Sequence, residues 1–527
     1  MSDAIRPESA GLHDLLHRYW GYETFRPFQE RIISSILDGN DVAAVMPTGG
    51  GKSLCYQLPA VARQKTAVVV SPLIALMQDQ VAQLRQMGIP AAALNSTIPF
   101  AEQRQALDQA RQGRFRLLYL SPERMAREDT LGWLKELPLA FFAIDEAHCI
   151  SEWGHEFRPD YRQLGRLRDV FPEQPIAAFT ASATRRVRHD ILAQLKLRAP
   201  HAYIRSFFRA NLRYWVRQCD ARTQRSLLLD AARFYQGEVI VYASTIAAVE
   251  ATVNLLASQG VEAVAYHGQM DSGARKRNQE QWMSGEARVM VGTVAFGMGI
   301  NKASVRAVIH LSLPKSIEQY YQEAGRAGRD GDSADCLLLW QKRDAGLLAH
   351  FIEQIADPQE RERAWQRYHS IRRFAEHKKC RHHEMCIYFG EVPKWTRCEA
   401  CDVCGFEPEW LTAHQPPAQI ESLSPVLAVD RPAKDRASQP GAAKADTELF
   451  AWLRQWRRET AKAAEVPAFV ILPDTSLSDL CQKRPRTLAA LLGVFGIGEY
   501  KAKTYGVAIL EAIAQFEKGA RAEPTRR

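Results

Sequence analysis

Met46-Pro47-Thr48-Gly49-Gly50-Gly51-Lys52-Ser53 follows the apolar run Val42-Ala43-Ala44-Val45 and leads into a stretch of helical character, Leu54 to Ala62. A buried strand, a glycine turn and a helix in that order form a phosphate cradle. Consecutive glycines let backbone N–H groups turn around phosphate oxygens, and the helix behind them presents its positive end. Lys52 is placed to reach the β and γ phosphates of ATP, and the Ser53 hydroxyl to ligand Mg²⁺. Met46 stands where the strict pattern has glycine, five residues before Gly51.

Upstream, Tyr22-Glu23-Thr24-Phe25-Arg26-Pro27-Phe28-Gln29 suits the base of the same nucleotide. The Gln29 amide can pair with the amino group and a ring nitrogen of adenine, Tyr22 can stack on the ring, and Arg26 lies between them. Downstream, β-type runs at Thr66 to Ser71, Arg116 to Leu120, Ala140 to Ile144 and Ile176 to Phe179 alternate with helical stretches. That alternation predicts a parallel sheet flanked by helices, whose ligands collect at the strand C-termini. Asp145-Glu146 follows one such strand: Asp145 reads as a Mg²⁺ ligand beside Ser53, and Glu146 as the group that orients and deprotonates the attacking water. Beyond it, Trp153, Phe157 and Tyr161 are interleaved with His155 and Arg158 rather than spaced as a helix stripe. Such a loop can stack bases beside the nucleotide site, which makes Trp153, His155, Phe157 and Arg158 candidate DNA contacts.

The set Phe25-Arg26-Pro27-Phe28-Gln29, Pro47 to Ser53, Asp145-Glu146-Ala147-His148 and Trp153-Gly154-His155 resembles the RecQ family of superfamily 2 DNA helicases. Met46 fits the helicase variant of the phosphate loop rather than that of kinases or GTPases. The resemblance implies two RecA-like lobes. A second alternation, Val239 to Tyr242, Ala263 to Gly268, Val289 to Phe296 and Val308 to Leu313, has no phosphate loop of its own, as befits a lobe that closes on the nucleotide of the first. Tyr266-His267-Gly268, Gly292 to Lys302 and Gln322 to Gly331 are similar to family motifs in order and spacing. Within the last, Gln322, Arg326 and Arg329 are the catalytic candidates. The two arginines share a face if the segment is helical, and Arg329 is expected as the finger on the γ phosphate, a role that can be worth roughly 10³ to 10⁵ in rate.

Cys380, Cys398, Cys401 and Cys404 have the spacing of a closed, structural Zn²⁺ site, with Cys386, His382 and His383 nearby. The resemblance favours Cys380 as the first ligand. Between Lys342 and Lys379 lie basic amphipathic helices carrying Arg361, Arg363, Arg367, Arg372 and Arg373, candidates to line a DNA path. The family usually continues into a winged-helix domain; this chain instead runs from about Glu407 to Lys444 through Pro-, Ala- and Ser-rich sequence that predicts a flexible linker. Thr447 to Ala520 then resembles the helical HRDC domain. Arg454 and Trp456, in a basic segment around an indole, and Lys501, in a predicted helix–turn–helix, are its candidate DNA contacts, with a protein-binding role as the alternative.

The 527 residues, 46% hydrophobic and 24% charged, suit a globular chain of about three or four domains. No run is apolar enough to span a bilayer and no signal-peptide pattern opens the chain. The net charge of +9 favours a polyanionic partner. The expected architecture is α/β: a RecA-like lobe over 1–205, a second over 206–345, a helical zinc-binding subdomain over 346–407, a linker over 408–445, an HRDC-like domain over 446–520 and a disordered tail. The resemblance implies an ATP-dependent 3′ to 5′ helicase acting in recombination and repair on single-stranded and forked DNA. It also implies a monomer working with a single-stranded-DNA-binding protein or other repair factors, in a bacterial-type cytoplasm at the nucleoid, a nucleus being left open. The alternatives are an RNA helicase, and a translocase or annealing factor whose ATPase gates binding.

Overall fold

The computed structural model describes residues 9–95, 98–296, 302–412, 444–464, 466 and 468–520. Motif residues 297–301, linker residues 413–443 and the tail 521–527 lie outside the described residues.

Seven parallel strands build lobe 1: β1 (Val42–Val45), β2 (Thr66–Val70), β3 (Ala91–Leu94), β4 (Leu117–Leu120), β5 (Leu139–Ile144), β6 (Ile176–Thr180) and β7 (His201–Ile204). Their order in the sheet is β3-β4-β2-β5-β6-β1-β7. Strands β2, β4, β5 and β6 are buried throughout, because helices cover both faces of a parallel sheet; hence they read as unbroken apolar runs rather than alternations. The register aligns Val45 with Thr180 and Val70 with Ile144, so the phosphate loop, Asp145 and Ser182 emerge along one edge.

Lobe 2 repeats the plan with β8 (Leu212–Gln218), β9 (Glu238–Tyr242), β10 (Ala263–Tyr266), β11 (Val289–Gly292), β12 (Val305–His310) and β13 (Ala334–Trp340), ordered β10-β11-β9-β12-β13-β8. Four strands were not legible in the sequence. Strand β3, Ala-Ala-Ala-Leu, has little β propensity and is held by pairing with β4, and β7 is an exposed edge. Strand β8 carries Arg213 and Arg217, and β13 carries Asp335. The buried Asp335 carboxylate is satisfied by Arg213 Nε at 2.6 Å and by the Tyr235 hydroxyl.

Helices Lys342–Glu353, Pro358–Glu376 and Arg381–Tyr388 then lead to the cysteine cluster. Residues 408–412, expected to open the linker, instead include a helical turn, Glu409–Thr412. Trp410 anchors it, buried edge-on against Trp215 with its Nε1 donating to Tyr235 Oη at 3.3 Å. A single indole buries enough apolar surface to hold such a turn on lobe 2. The terminal unit packs helices Lys444–Ala463, Asp474–Lys483 and Glu499–Ala520 around Leu453, Leu477, Leu480 and Ile509. No helix among the described residues is long and apolar enough to cross a membrane.

Candidate nucleotide site and nucleic-acid interface

Glycine builds the turn after β1. Gly49 and Gly51 hold φ of 81° and 79°, left-handed values that disfavour any side chain, and a Cβ on Gly51 would stand 2.3 Å from Gln29 Nε2. The Gly50 N–H closes the turn on Pro47 O at 2.9 Å, and the Met46 N–H ties it to Thr180 O at 2.9 Å. Met46 itself is fully buried, so the departure from the glycine pattern supplies core. Helix Lys52–Arg63 starts directly behind, directing its free N–H groups at the loop.

Lys52 Nζ lies 3.3 Å from Glu146 Oε1. Burial acts to raise the Glu146 carboxyl, but Lys52 and His148 outweigh it and hold the group well below the usual carboxylate range. Asp145 moves the other way, pushed up by burial and then by the Glu146 charge. It is buried, accepts the Glu146 N–H at 3.0 Å and enters no ion pair among the described residues. A desolvated carboxylate of this kind, with the Ser53 hydroxyl at the head of the neighbouring helix, fits a divalent cation. Ser53 Oγ accepts from Gln80 Nε2 at 3.4 Å. Glu146 adopts φ of 45°, a strained conformation for a non-glycine residue and typical of functional sites.

The adenine readers sit differently from the expectation. Gln29 Oε1 accepts the Arg26 N–H at 2.8 Å and Gln29 Nε2 donates to Gly51 O at 3.1 Å, while Arg26 Nη1 donates to Gly49 O. Both residues therefore brace the phosphate loop, and the Gln29 amide keeps a second N–H and a second lone pair beyond these bonds. Tyr22 stacks on Phe495 of the terminal unit, with centroids 4.8 Å apart and planes at 27°.

Lobe 2 closes over the loop through the expected Arg329 and Gln322 and through Arg209, which the sequence reading missed. Arg209, between β7 and β8, donates to Thr48 O at 3.0 Å and to Gly328 O at 3.0 Å. The Arg329 side chain lies against Gly49, where a Cβ would be 3.1 Å from its Cγ. Burial, then the charges of Arg326 and Arg209, lower Arg329 to about 9; three guanidiniums crowded together mark a place for a polyanion. Arg326 and Arg329 lie in turns, not on a helix face, since helix Ile317–Ala324 ends before them. Gln322 Nε2 donates to Ser182 Oγ at 2.9 Å, joining the lobes again at the end of β6.

The aromatic loop reaches Glu146 through His148. His148 Nδ1 lies 3.3 Å from Glu146 Oε2 and 2.9 Å from Thr180 Oγ1, and its ring stacks on His155 with centroids 4.8 Å apart. Trp153 is held between Arg186, whose Cζ is 3.0 Å from the ring centroid, and Arg363 at 5.5 Å. Arg162 covers Phe157 at 5.6 Å, and Arg158 donates to Pro72 O at 3.1 Å. The structure thus gathers all four loop candidates, brings to them Arg363 from the basic helices expected to line a DNA path, and adds Arg186, which no local pattern flagged because it comes from a separate helix. Arg367 and Arg372 are paired with Glu360 and Glu376.

The sulfur atoms of Cys380, Cys398, Cys401 and Cys404 all lie within 4.8 Å of one another. Backbone N–H groups of Arg381 and Ala400 approach the Cys401 and Cys398 sulfurs at 3.5 and 3.4 Å. Four sulfurs so supported fit a tetrahedral Zn²⁺ with no open position; Cys386, His382 and His383 fall outside the cluster. The unit also clasps the segment between the lobes. Glu391 accepts Ser206 Oγ at 2.7 Å and the Phe207 N–H at 2.8 Å, and Phe389 stacks on Phe207 at 4.4 Å.

The terminal unit places each of its three DNA-contact candidates against protein. Arg454 pairs with Glu238 of lobe 2 at 3.5 Å, and Trp456 packs against the unit's own core. Lys501 is buried rather than facing phosphate. The segment Gly493 to Lys501, expected to contact a DNA backbone, packs against lobe 1 instead: the Gly496 N–H donates to Gly21 O at 3.3 Å.

Four family models match the chain: DEAD/DEAH box helicase over 26–191, helicase conserved C-terminal domain over 223–331, RecQ zinc-binding over 342–405 and HRDC domain over 446–513. Only residues 406–445 separate the last two, fewer than an ordinary domain occupies. The chain is 33% identical to the ATP-dependent DNA helicase RecQ of Pasteurella multocida, over 96% of this chain and 94% of the relative. With the RecQ of Bacillus subtilis the identity is 31%, over 96% and 98%. The Pasteurella alignment runs over 598 positions against 527 residues here, so that relative carries stretches this chain lacks. Among solved structures, the helicase MrfA bound to DNA superposes with a TM-score of 0.53 at 17% identity, covering 65% of this chain and 52% of that one. S. cerevisiae Dbp5 bound to RNA and ADP BeF3 gives 0.51 at 16%, covering 67% and 92%. At such identities these two speak for the shared two-lobe fold alone. The near-complete alignments, the zinc-binding and HRDC matches and the geometry of the two lobes together make this chain a member of the RecQ family of ATP-dependent DNA helicases.

Proposed function

We propose that the chain couples ATP hydrolysis to 3′ to 5′ movement on single-stranded DNA and to duplex unwinding in recombination and repair. The observation that carries this reading is the unbroken path of contacts from the phosphate loop to the aromatic loop: Lys52 to Glu146, Glu146 to His148, His148 to His155. In the reaction, the loop N–H groups and Lys52 hold the β and γ phosphates. Glu146, kept ionised by Lys52 and His148, accepts the proton of the attacking water. Asp145 and Ser53 would hold a Mg²⁺, which would supply neutralisation of phosphate charge. Arg329, with Arg326 beside it, meets the charge that develops on the γ phosphate. Because Arg209, Arg329 and Gln322 all cross between lobes, loss of the γ phosphate weakens their shared grip and shifts the lobes toward an open state.

A base entering over Trp153 displaces the guanidiniums of Arg186 and Arg363, and the loop passes that movement to Glu146 through His155 and His148. Stacking returns roughly 1–3 kcal/mol per base against about 1.4 kcal/mol for an unstacked duplex step. It offsets much of each opening, and hydrolysis gives direction. The polarity rests on family membership. So do single-stranded and forked DNA as substrates, a monomeric state, a single-stranded-DNA-binding protein or other repair factors as partners, and a place at the bacterial nucleoid; the bacterial RecQ relatives, named as DNA helicases, support DNA as the substrate.

The test is ATP-driven unwinding of 3′-tailed and 5′-tailed duplexes by the wild type and Glu146→Gln, with DNA- and RNA-stimulated ATPase read in parallel. Opening of the 3′-tailed duplex only, abolished by Glu146→Gln, is expected. A second reading, a translocase or annealing factor that borrows a wedge from a partner, is favoured by the short 406–445 interval. Stimulated ATPase without opening of either duplex would establish it.

A further inference from the structure

The terminal unit touches both lobes at once. On lobe 1, Glu499 pairs with Arg18 at 3.2 Å, the Tyr505 hydroxyl donates to Gln86, and Phe495 covers a face of Tyr22. The fit is close: a Cβ on Gly21 would lie 2.6 Å from the Ile497 backbone, and one on Gly498 would lie 2.3 Å from the Arg18 carbonyl oxygen. On lobe 2, Arg454 meets Glu238 at 3.5 Å and Arg458 meets Glu286 at 2.8 Å. Glu238 is already engaged by Lys302 at 2.8 Å and by Ser304 Oγ at 2.8 Å.

The two halves of this contact differ in kind. The lobe 1 half is mainly steric and aromatic, with glycines admitting backbone to backbone and one exposed ion pair, Glu499–Arg18, at its edge. The lobe 2 half carries two ion pairs beside the packing of the turn Ala468–Ile471 on helix Ser272–Ser284, and its Arg458–Glu286 pair is exposed on both sides. An exposed ion pair is weak, screened by salt and open to competition from another anion. Arg454 and Arg458 stand four apart on helix Lys444–Ala463 and so project from one face, a spacing suited to successive phosphates.

We propose that Glu238 and Glu286 form a docking surface on lobe 2 for Arg454 and Arg458 of the chain's own terminal unit. The docked unit staples the two lobes across the cleft, and single-stranded DNA releases the staple by taking the arginines from the carboxylates. Arg454 and Arg458 thus have two mutually exclusive partners, lobe 2 or phosphate. The release step rests on the DNA-binding reading above, whereas the docking surface does not.

Hydrogen exchange on the full chain tests both, read at segments 15–22, 84–88 and 494–505, with helix Lys444–Ala463 as the control for folding. Without DNA, Glu286→Arg and Arg458→Glu are each expected to speed exchange at those segments by about five-fold. The double exchange of charge, Glu286→Arg with Arg458→Glu, is expected to restore wild-type protection. Single variants that exchange like wild type, or a double variant that fails to restore protection, overturn the docking surface. Adding oligothymidylate to wild type is expected to reproduce the acceleration. Oligothymidylate that stimulates the ATPase yet leaves protection intact overturns the release step alone. Oligothymidylate with no effect on either overturns the DNA-binding reading together with release.

Discussion

Glu146 and Arg329 show how single side chains divide the chemistry. The first is strained into a left-handed conformation with Lys52 on one oxygen and His148 on the other. The second is buried beside like charges and against Gly49, an arrangement that a bound polyanion would relieve. Arg329→Ala is therefore expected to lower kcat for ATP by about 10³ while changing nucleotide affinity far less, as steady-state kinetics beside a binding titration would show. Lys501 provides the pH-dependent case. Burial lowers it to about 8, against about 10.4 in an unfolded chain. The unfolded state holds the proton more tightly, so the penalty for burying the charge is complete below about pH 8, and stability rises as Lys501 deprotonates between about pH 8 and 10.4. Lys501→Met should stabilise the terminal unit by about 1–3 kcal/mol near pH 7, with the gain shrinking toward about pH 10. Exchange rates within Glu499–Ala520 measured across that range would check it.

At the scale of elements, the phosphate loop and the cysteine cluster were legible because each lies within a short stretch of chain. Glycines needed for positive φ and sulfurs needed for one metal are written at local spacing. What the zinc unit does for its neighbours was not legible, because Glu391, Ser206 and Phe207 are far apart in sequence. Glu391 takes two donors from the segment between the lobes. Glu391→Ala leaves both without that partner and is expected to destabilise the fold by about 1–3 kcal/mol, readable as a shifted denaturant midpoint with zinc still bound. The same distinction explains the missed strands. Strand β13 reads poorly because Asp335 interrupts it, yet Arg213 and Tyr235 neutralise that interruption from other strands and helices.

For the whole molecule, closure of the lobes is the quantity that matters. Arg209 spans it with bonds to Thr48 on one side and to Ala327 and Gly328 on the other. Arg209→Ala is expected to weaken ATP-analogue binding by about tenfold to a hundredfold with phosphate-loop residues unchanged, which titration of a fluorescent nucleotide would measure. The sequence alone determined that there are two parallel-sheet lobes, one phosphate loop, an acidic pair at a strand end, a four-sulfur site and a helical terminal unit. Each of these depends on residues close together in the chain, where periodicity and spacing carry the information. Only the tertiary structure decided which charges are free. Arg454 read as an unpartnered cation until Glu238 was found against it, Tyr22 as an open stacking face until Phe495 was found on it, and Lys501 as a phosphate contact until it was found buried. The physical reason is that an ion pair or a stacked ring depends on proximity in space, and these partners stand hundreds of residues from one another along the chain.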